Sequence, residues 1–206
     1  MRKVSTSAAP HPSQALEAGR PRQRLAAVSW QSHSAATSFS CDVDRYHSVM
    51  AQTAAPNAHG SVTIAADPAA VYALITDLAT LASLAEEADE LHWRKGGAAS
   101  PGAVFAGHNR NGSHTWTTKC TVTAADPGRA FAFDVHTAGI LPISHWRYDI
   151  EPTGDGCTVV ESTWDRRPRW FLKPAAMATG VSDRNGANAE HIKLTLQRLK
   201  QRAETG

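Results

Sequence analysis

From residue 61 onward the apolar positions follow first one rhythm, then another. Ser61-Val62-Thr63-Ile64-Ala65-Ala66 is short and β-branched, which predicts a strand. Asp67-Pro68 follows, a capping side chain and then a proline that fits the first helical position because no N–H is needed there. Val71, Leu74, Ile75 and Leu78 then recur on one helical face, and a second short helix is predicted from Leu78 to Glu87, running into the acids Glu86, Glu87, Asp89 and Glu90. Beyond it come strand-length runs separated by turn signals. These are Leu91–Lys95, Ala103–Arg110, Ser113–Ala124, Ala130–His136, Ile143–Glu151 and Cys157–Arg166. Asn111-Gly112, Asp126-Pro127-Gly128 and Gly154-Asp155-Gly156 mark tight connections, so the strands are expected to form an antiparallel meander. After Pro174 and Gly180 the helical period returns. Ala189, Ile192, Leu196, Leu199 and Ala203 make a stripe about four turns long, which must cover something.

Alternation assigns faces to the strands. Trp116, Thr118, Cys120, Val122 and Ala124 share one side, opposite Thr115, Thr117, Lys119, Thr121 and Thr123. Phe131, Phe133 and Val135 share a side, as do Trp146, Tyr148 and Ile150 against His145, Arg147, Asp149 and Glu151. One face of the sheet is therefore rich in aromatics. With the last helix laid over it, an apolar pocket is expected, lined by Val104, Trp116, Cys120, Phe131, Phe133, Trp146, Tyr148, Ile192 and Leu196.

The order of elements is a strand, two short helices, about six antiparallel strands and a long terminal helix. Asp67-Pro68-Ala69-Ala70-Val71-Tyr72 resembles the opening of the START-like, polyketide cyclase/dehydrase-like proteins of the SRPBCC or Bet v 1-like superfamily. Gly107–Gly112 with Trp116–Val122, Trp146-Arg147-Tyr148, Gly180–Arg184 and Thr195–Lys200 resemble one branch of it, so the likeness covers nearly all of 61–203. It implies an α+β helix-grip fold, in which a curved antiparallel sheet wraps the last helix and leaves a cavity between them. It also implies a hydrophobic ligand such as a lipid, polyketide or isoprenoid-like compound. A cyclase, aromatase or dehydrase using the same pocket is the alternative, and a ligand-free interaction module is a third reading. The fold does not choose among them, and no catalytic set is carried over residue by residue.

Composition narrows the partners. Residues 50–206 hold 15 basic and 16 acidic residues, a balance unlike a nucleic-acid footprint. No apolar run has the length of a membrane helix. Three cysteines without a framework spacing suit a reducing compartment, so a cytoplasmic location is expected. Oligomeric state is not legible. Residues 1–49 carry six Lys/Arg and three acids and have no sustained period. The expected organisation is an extension over 1–58, either disordered or an over-extended gene start with translation beginning at Met50, followed by a domain over 59–206.

Chemistry is sparse. The chain has ten histidines, but His108, His114, His136 and His145 form no metal-ligand spacing, and neither a metal nor a cofactor is expected. No GxSxG elbow or phosphate loop is present. Cys120 reads as a small buried hydrophobe. Glu161 has two readings. On the side of Val159 and Thr163 it would be a carboxyl in an apolar pocket, a setting for acid–base chemistry. If Val160, Ser162 and Trp164 face inward it is an exposed strand residue, and that reading is preferred. His108 and Arg110, which share a side with Val104 and Ala106, carry the same ambiguity. These three are the weak catalytic candidates.

Overall fold

The Asp67 carboxylate accepts from the N–H of Ala69 at 2.8 Å, satisfying an orphan donor of the first helix turn. Asp77 does the same for the next helix through the N–H of Thr80 at 2.7 Å, while its own N–H closes the preceding helix on the carbonyl of Ala73. These caps set the start of the computed structural model's order of elements, which describes residues 54–206. It runs β1 (Ala58–Ile64), α1 (Pro68–Thr76), α2 (Leu78–Leu84), β2 (Ala88–Lys95), β3 (Val104–Asn111), β4 (His114–Asp126), β5 (Ala130–Thr137), β6 (Leu141–Thr153), β7 (Gly156–Asp165), a 3-10 turn at Arg169–Phe171, α3 (Leu172–Thr179) and α4 (Arg184–Thr205).

All seven strands form one antiparallel sheet in the order β1-β7-β6-β5-β4-β3-β2. Strands β2 to β7 are the expected meander, and β1 returns to pair with β7. The architecture is the helix-grip α+β fold, with α4 packed against β1 and β7. Gly60 permits the close approach of helix and strand. A Cβ there would lie 2.9 Å from Ile192 Cγ2 and 3.3 Å from Leu196 Cδ1. Ile64, Val71, Ile75, Phe131, Ile150, Val159 and Leu199 are buried together and make the solid part of the core.

Five differences from the sequence reading have local causes. Helix α2 ends at Leu84 rather than Glu87, because α4 holds the following segment. Arg198 donates to the Leu84 carbonyl at 2.9 Å and pairs with Glu86, and Arg184 donates to Glu87 at 2.6 Å. In β4 a register shift between Val122 and Ala124 turns Ala125, not Ala124, toward the core. The buried face of α4 is Asn188, Ile192, Thr195, Leu196 and Leu199, so Ala189 points to solvent. Helix α3 was not anticipated; Pro174 sits in its first turn, where a missing N–H leaves no bond unmade. Residues 54–58, expected to precede the domain, run along β7. The Asn57 N–H donates to the Thr163 carbonyl at 2.8 Å, and Trp164 donates from Nε1 to the Ala54 carbonyl at 2.7 Å. The expectations for the extension before residue 54 fall outside the described residues.

Gly156 tests the β1–β7 register. Its φ is +154°, and a Cβ there would strike the Ile64 carbonyl oxygen and the backbone of Ala65 and Ala66. Gly156→Ala is expected to lower the thermal midpoint by roughly 5 °C or more, since the backbone of two strands would have to part. An unchanged midpoint in a thermal melt would mean that β1 does not pair with β7 in this register.

Candidate functional site

The concave face of the sheet is not filled along its whole length. Toward α3 the packed core gives way to a cavity of about 240 Å³ between the sheet and α4. The strands present to it Phe105 from β3, Trp116 and Cys120 from β4, Phe133 and Val135 from β5, Trp146 and Tyr148 from β6, and Glu161 from β7. Ile192, Thr195, Asn188 and His191 of α4 lie across from them, and Phe171, Ala175 and Ala178 close one side. The aromatics brace one another. Phe105 meets Phe133 edge to face with ring centroids 5.2 Å apart, and Trp93 packs behind Phe105 at 5.6 Å. The polar ends of the wall are mostly satisfied. Trp146 Nε1 donates to Ser144 at 2.9 Å, and the Asn109 amide donates to Thr118 at 3.2 Å.

Glu161 is a buried carboxyl on this wall. It is 2 % exposed, and Oε1 accepts the Tyr148 hydroxyl at 2.7 Å. Oε2 is buried and has no partner. No ion pair among the described residues includes this carboxyl. Burial raises its pKa to about 8, although the hydrogen bond from Tyr148 works in the opposite direction. The acid is therefore mostly neutral at pH 7. Burial, then the Glu161 carboxyl, pushes the Tyr148 phenol well above its ordinary range. Cys120 is also driven up by burial, to about 12, and is an inert thiol.

Two ion pairs stand where α3 and the start of α4 meet the cavity. Arg167 binds Asp165 through Oδ2 at 2.6 Å, and Arg184 binds Glu87 at 2.6 Å. Burial acts to raise Asp165, but the hydrogen bonds and charge of Arg167 outweigh it and hold the carboxyl low.

Of the residues expected to line a pocket, Trp116, Cys120, Phe133, Trp146, Tyr148 and Ile192 are brought together here. Phe131 and Leu196 belong to the solid core beside it. Val104 lies on the other face of β3, because Phe105 takes the inward position and Gly107 follows it. The same phase sends His108 and Arg110 outward. His108 is exposed, and Arg110 pairs with Asp89 at 2.7 Å on the outer face. The preferred reading of Glu161 as exposed is corrected: β7 turns Val159, Glu161 and Thr163 inward. The wall residues contributed by α3 and the 3-10 turn were missed, since neither element was read from the sequence. No cluster of three or more metal-ligating side chains occurs among the described residues, and no described helix is long and apolar enough to cross a membrane.

The family described as polyketide cyclase / dehydrase and lipid transport matches residues 55–204. A search of curated proteins found no match. Among solved structures, a polyketide-cyclase-like protein from Corynebacterium glutamicum is 26% identical, with a TM-score of 0.48 over 69% of this chain and 88% of that one. A protein from Chromobacterium violaceum superimposes with a TM-score of 0.55 at 11% identity, over 72% of this chain and 97% of its own. The di-domain ARO/CYC StfQ of the steffimycin biosynthetic pathway also gives 0.55, at 14% identity, over 71% of this chain and 49% of that one. The last two likenesses show the fold.

Proposed function

Since this chain belongs to the polyketide cyclase / dehydrase and lipid transport family, we propose that it binds a hydrophobic small molecule in the cavity between the sheet and α4. The observation that carries this reading is the cavity itself: about 240 Å³ left open beneath a long helix and walled by Phe105, Trp116, Phe133 and Trp146. Cores close to near-crystalline density when they can, so an aromatic wall that stops short of closure favours an occupant. Lipid, polyketide and isoprenoid-like compounds have the right chemistry. Ligand exchange would occur in a non-membrane-spanning, cytoplasmic protein that makes no use of nucleic acid.

A second reading, a cyclase- or dehydrase-type enzyme, has one observation in its favour. The Glu161 carboxyl is a buried, mostly neutral acid on the wall of the cavity. It would act on a chain that the cavity holds folded.

The binding reading is tested with N-phenyl-1-naphthylamine, an apolar probe that fluoresces when it leaves water. The protein is expected to bind it with micromolar affinity, since burial at about 25 cal/mol per Å² exceeds the cost of association for a ligand of that size. Trp116→Ala is expected to change that affinity severalfold while costing less than the ~3–5 kcal/mol of a Trp removed from a solid core. A parent that gives no fluorescence enhancement, together with a Trp116→Ala protein that unfolds, would mean that the aromatics fill the interior and no ligand enters.

A further inference from the structure

Glu161 is placed at a cost that packing does not explain. On the sheet it stands between Gly60 of β1, which has no side chain to offer, and Tyr148 of β6. Tyr148 occupies Oε1 at 2.7 Å and so fixes the plane of the carboxyl, leaving Oε2 as a buried polar atom on the cavity wall without a partner. An unsatisfied buried oxygen is expensive, and Leu or Val would fill the same position at no such cost. The group is complete only when something inside the cavity meets Oε2.

We propose that Glu161, oriented by Tyr148, is the polar anchor of the cavity and donates a hydrogen bond from Oε2 to the carbonyl oxygen of an otherwise apolar, ring-bearing ketone. This inference rests on the cavity being a binding site for hydrophobic molecules, and it names the chemical feature that such a molecule carries. The direction of the bond follows from electrostatics. No cation pairs with the carboxyl, so its neutral, proton-bearing form is the stable one in that apolar setting. A neutral acid with one oxygen accepting from Tyr148 has its proton on the other, and that proton calls for an acceptor. The other titratable groups on the cavity wall are accounted for separately. Asp165 is paired with Arg167, Glu87 with Arg184 and Glu86 with Arg198. His191 of α4 and Cys120 of β4 complete the set.

The test uses fluorene and 9-fluorenone, which share one shape and differ by a carbonyl oxygen. Binding of each is followed by tryptophan emission for the parent and for Glu161→Leu, at pH 6 and pH 9. At pH 6 the ratio of affinities, ketone over hydrocarbon, is expected to be about tenfold higher in the parent than in Glu161→Leu. At pH 9, where Glu161 has lost its proton, the parent's ratio is expected to fall to that of the variant. Glu161→Gln keeps a donor that does not titrate, so its preference for the ketone should survive at both pH values. It also serves if Glu161→Leu does not fold. Any effect of His191 is common to all three proteins and cancels. Equal ratios in parent and Glu161→Leu at pH 6, or a parent ratio unchanged between pH 6 and pH 9, would overturn the anchor while fluorene binding left the pocket standing. If neither probe binds the parent, the pocket fails and the anchor fails with it.

Discussion

Leu196→Asp is expected to abolish folded, soluble protein. Leu196 is 3 % exposed, and it presses on Gly60 where α4 lies closest to β1. An aspartate there would bury a carboxylate between helix and strand, at a cost comparable to the whole stability of a small domain, about 5–15 kcal/mol. Leu194, half-buried on the same helix, is the control. Leu194→Asp should leave a protein that still melts cooperatively in far-UV circular dichroism. Equal damage from the two changes would mean that the helix meets the sheet on another face.

Stability is expected to fall as pH rises from about 5 to 8, and Glu161→Gln should remove that fall. The folded-state pKa of Glu161 is raised, from an ordinary 4.5 to about 8. Between those values the unfolded chain has released the proton and the folded chain retains it. The contribution is therefore present in full below 4.5 and is lost as pH climbs through 8, at about 1.4 kcal/mol per pH unit. Over the window the parent should lose on the order of 4 kcal/mol relative to the variant. Asp134 and Asp165 carry the opposite sign, since their pKa values are lowered, but they act near the bottom of the pH scale. His136, lowered chiefly by its own burial, is present in both proteins and cancels in the difference. Urea midpoints at pH 5, 6.5 and 8 read the effect. Parallel curves for parent and Glu161→Gln would show that the carboxyl is solvated.

The fold was legible in the sequence because its periods are clean. Asp67-Pro68 sets a helix start, and Asn111-Gly112 sets a hairpin. The aromatics of β5 and β6 alternate without interruption. The site was less legible where both faces of a strand look alike. In β7, Val159 and Val160 offer an apolar residue to each side, and in β3 Val104 and Phe105 do the same, so alternation alone does not choose the phase. What chooses is tertiary: β1 pairs beside β7, and Phe105 finds Phe133 across the sheet. The size of Phe105 relative to Val104 was a usable signal for β3. For Glu161 the local sequence held none. Helix α3 was hidden by its shortness and by Pro174. The polar Asn188 and Thr195 broke the apolar stripe of α4 because they face a cavity rather than a packed core.

The central claim is that the space between sheet and α4 takes up an apolar ligand, and methyl NMR during a fluorene titration tests it most directly. Saturable shifts are expected at Ile192, Val135 and Leu91, whose methyls line the cavity, with little change at Val159 and Ile64 in the solid core. Shifts absent from Ile192 and Val135 at saturating fluorene, or confined to outward-facing residues, would contradict it.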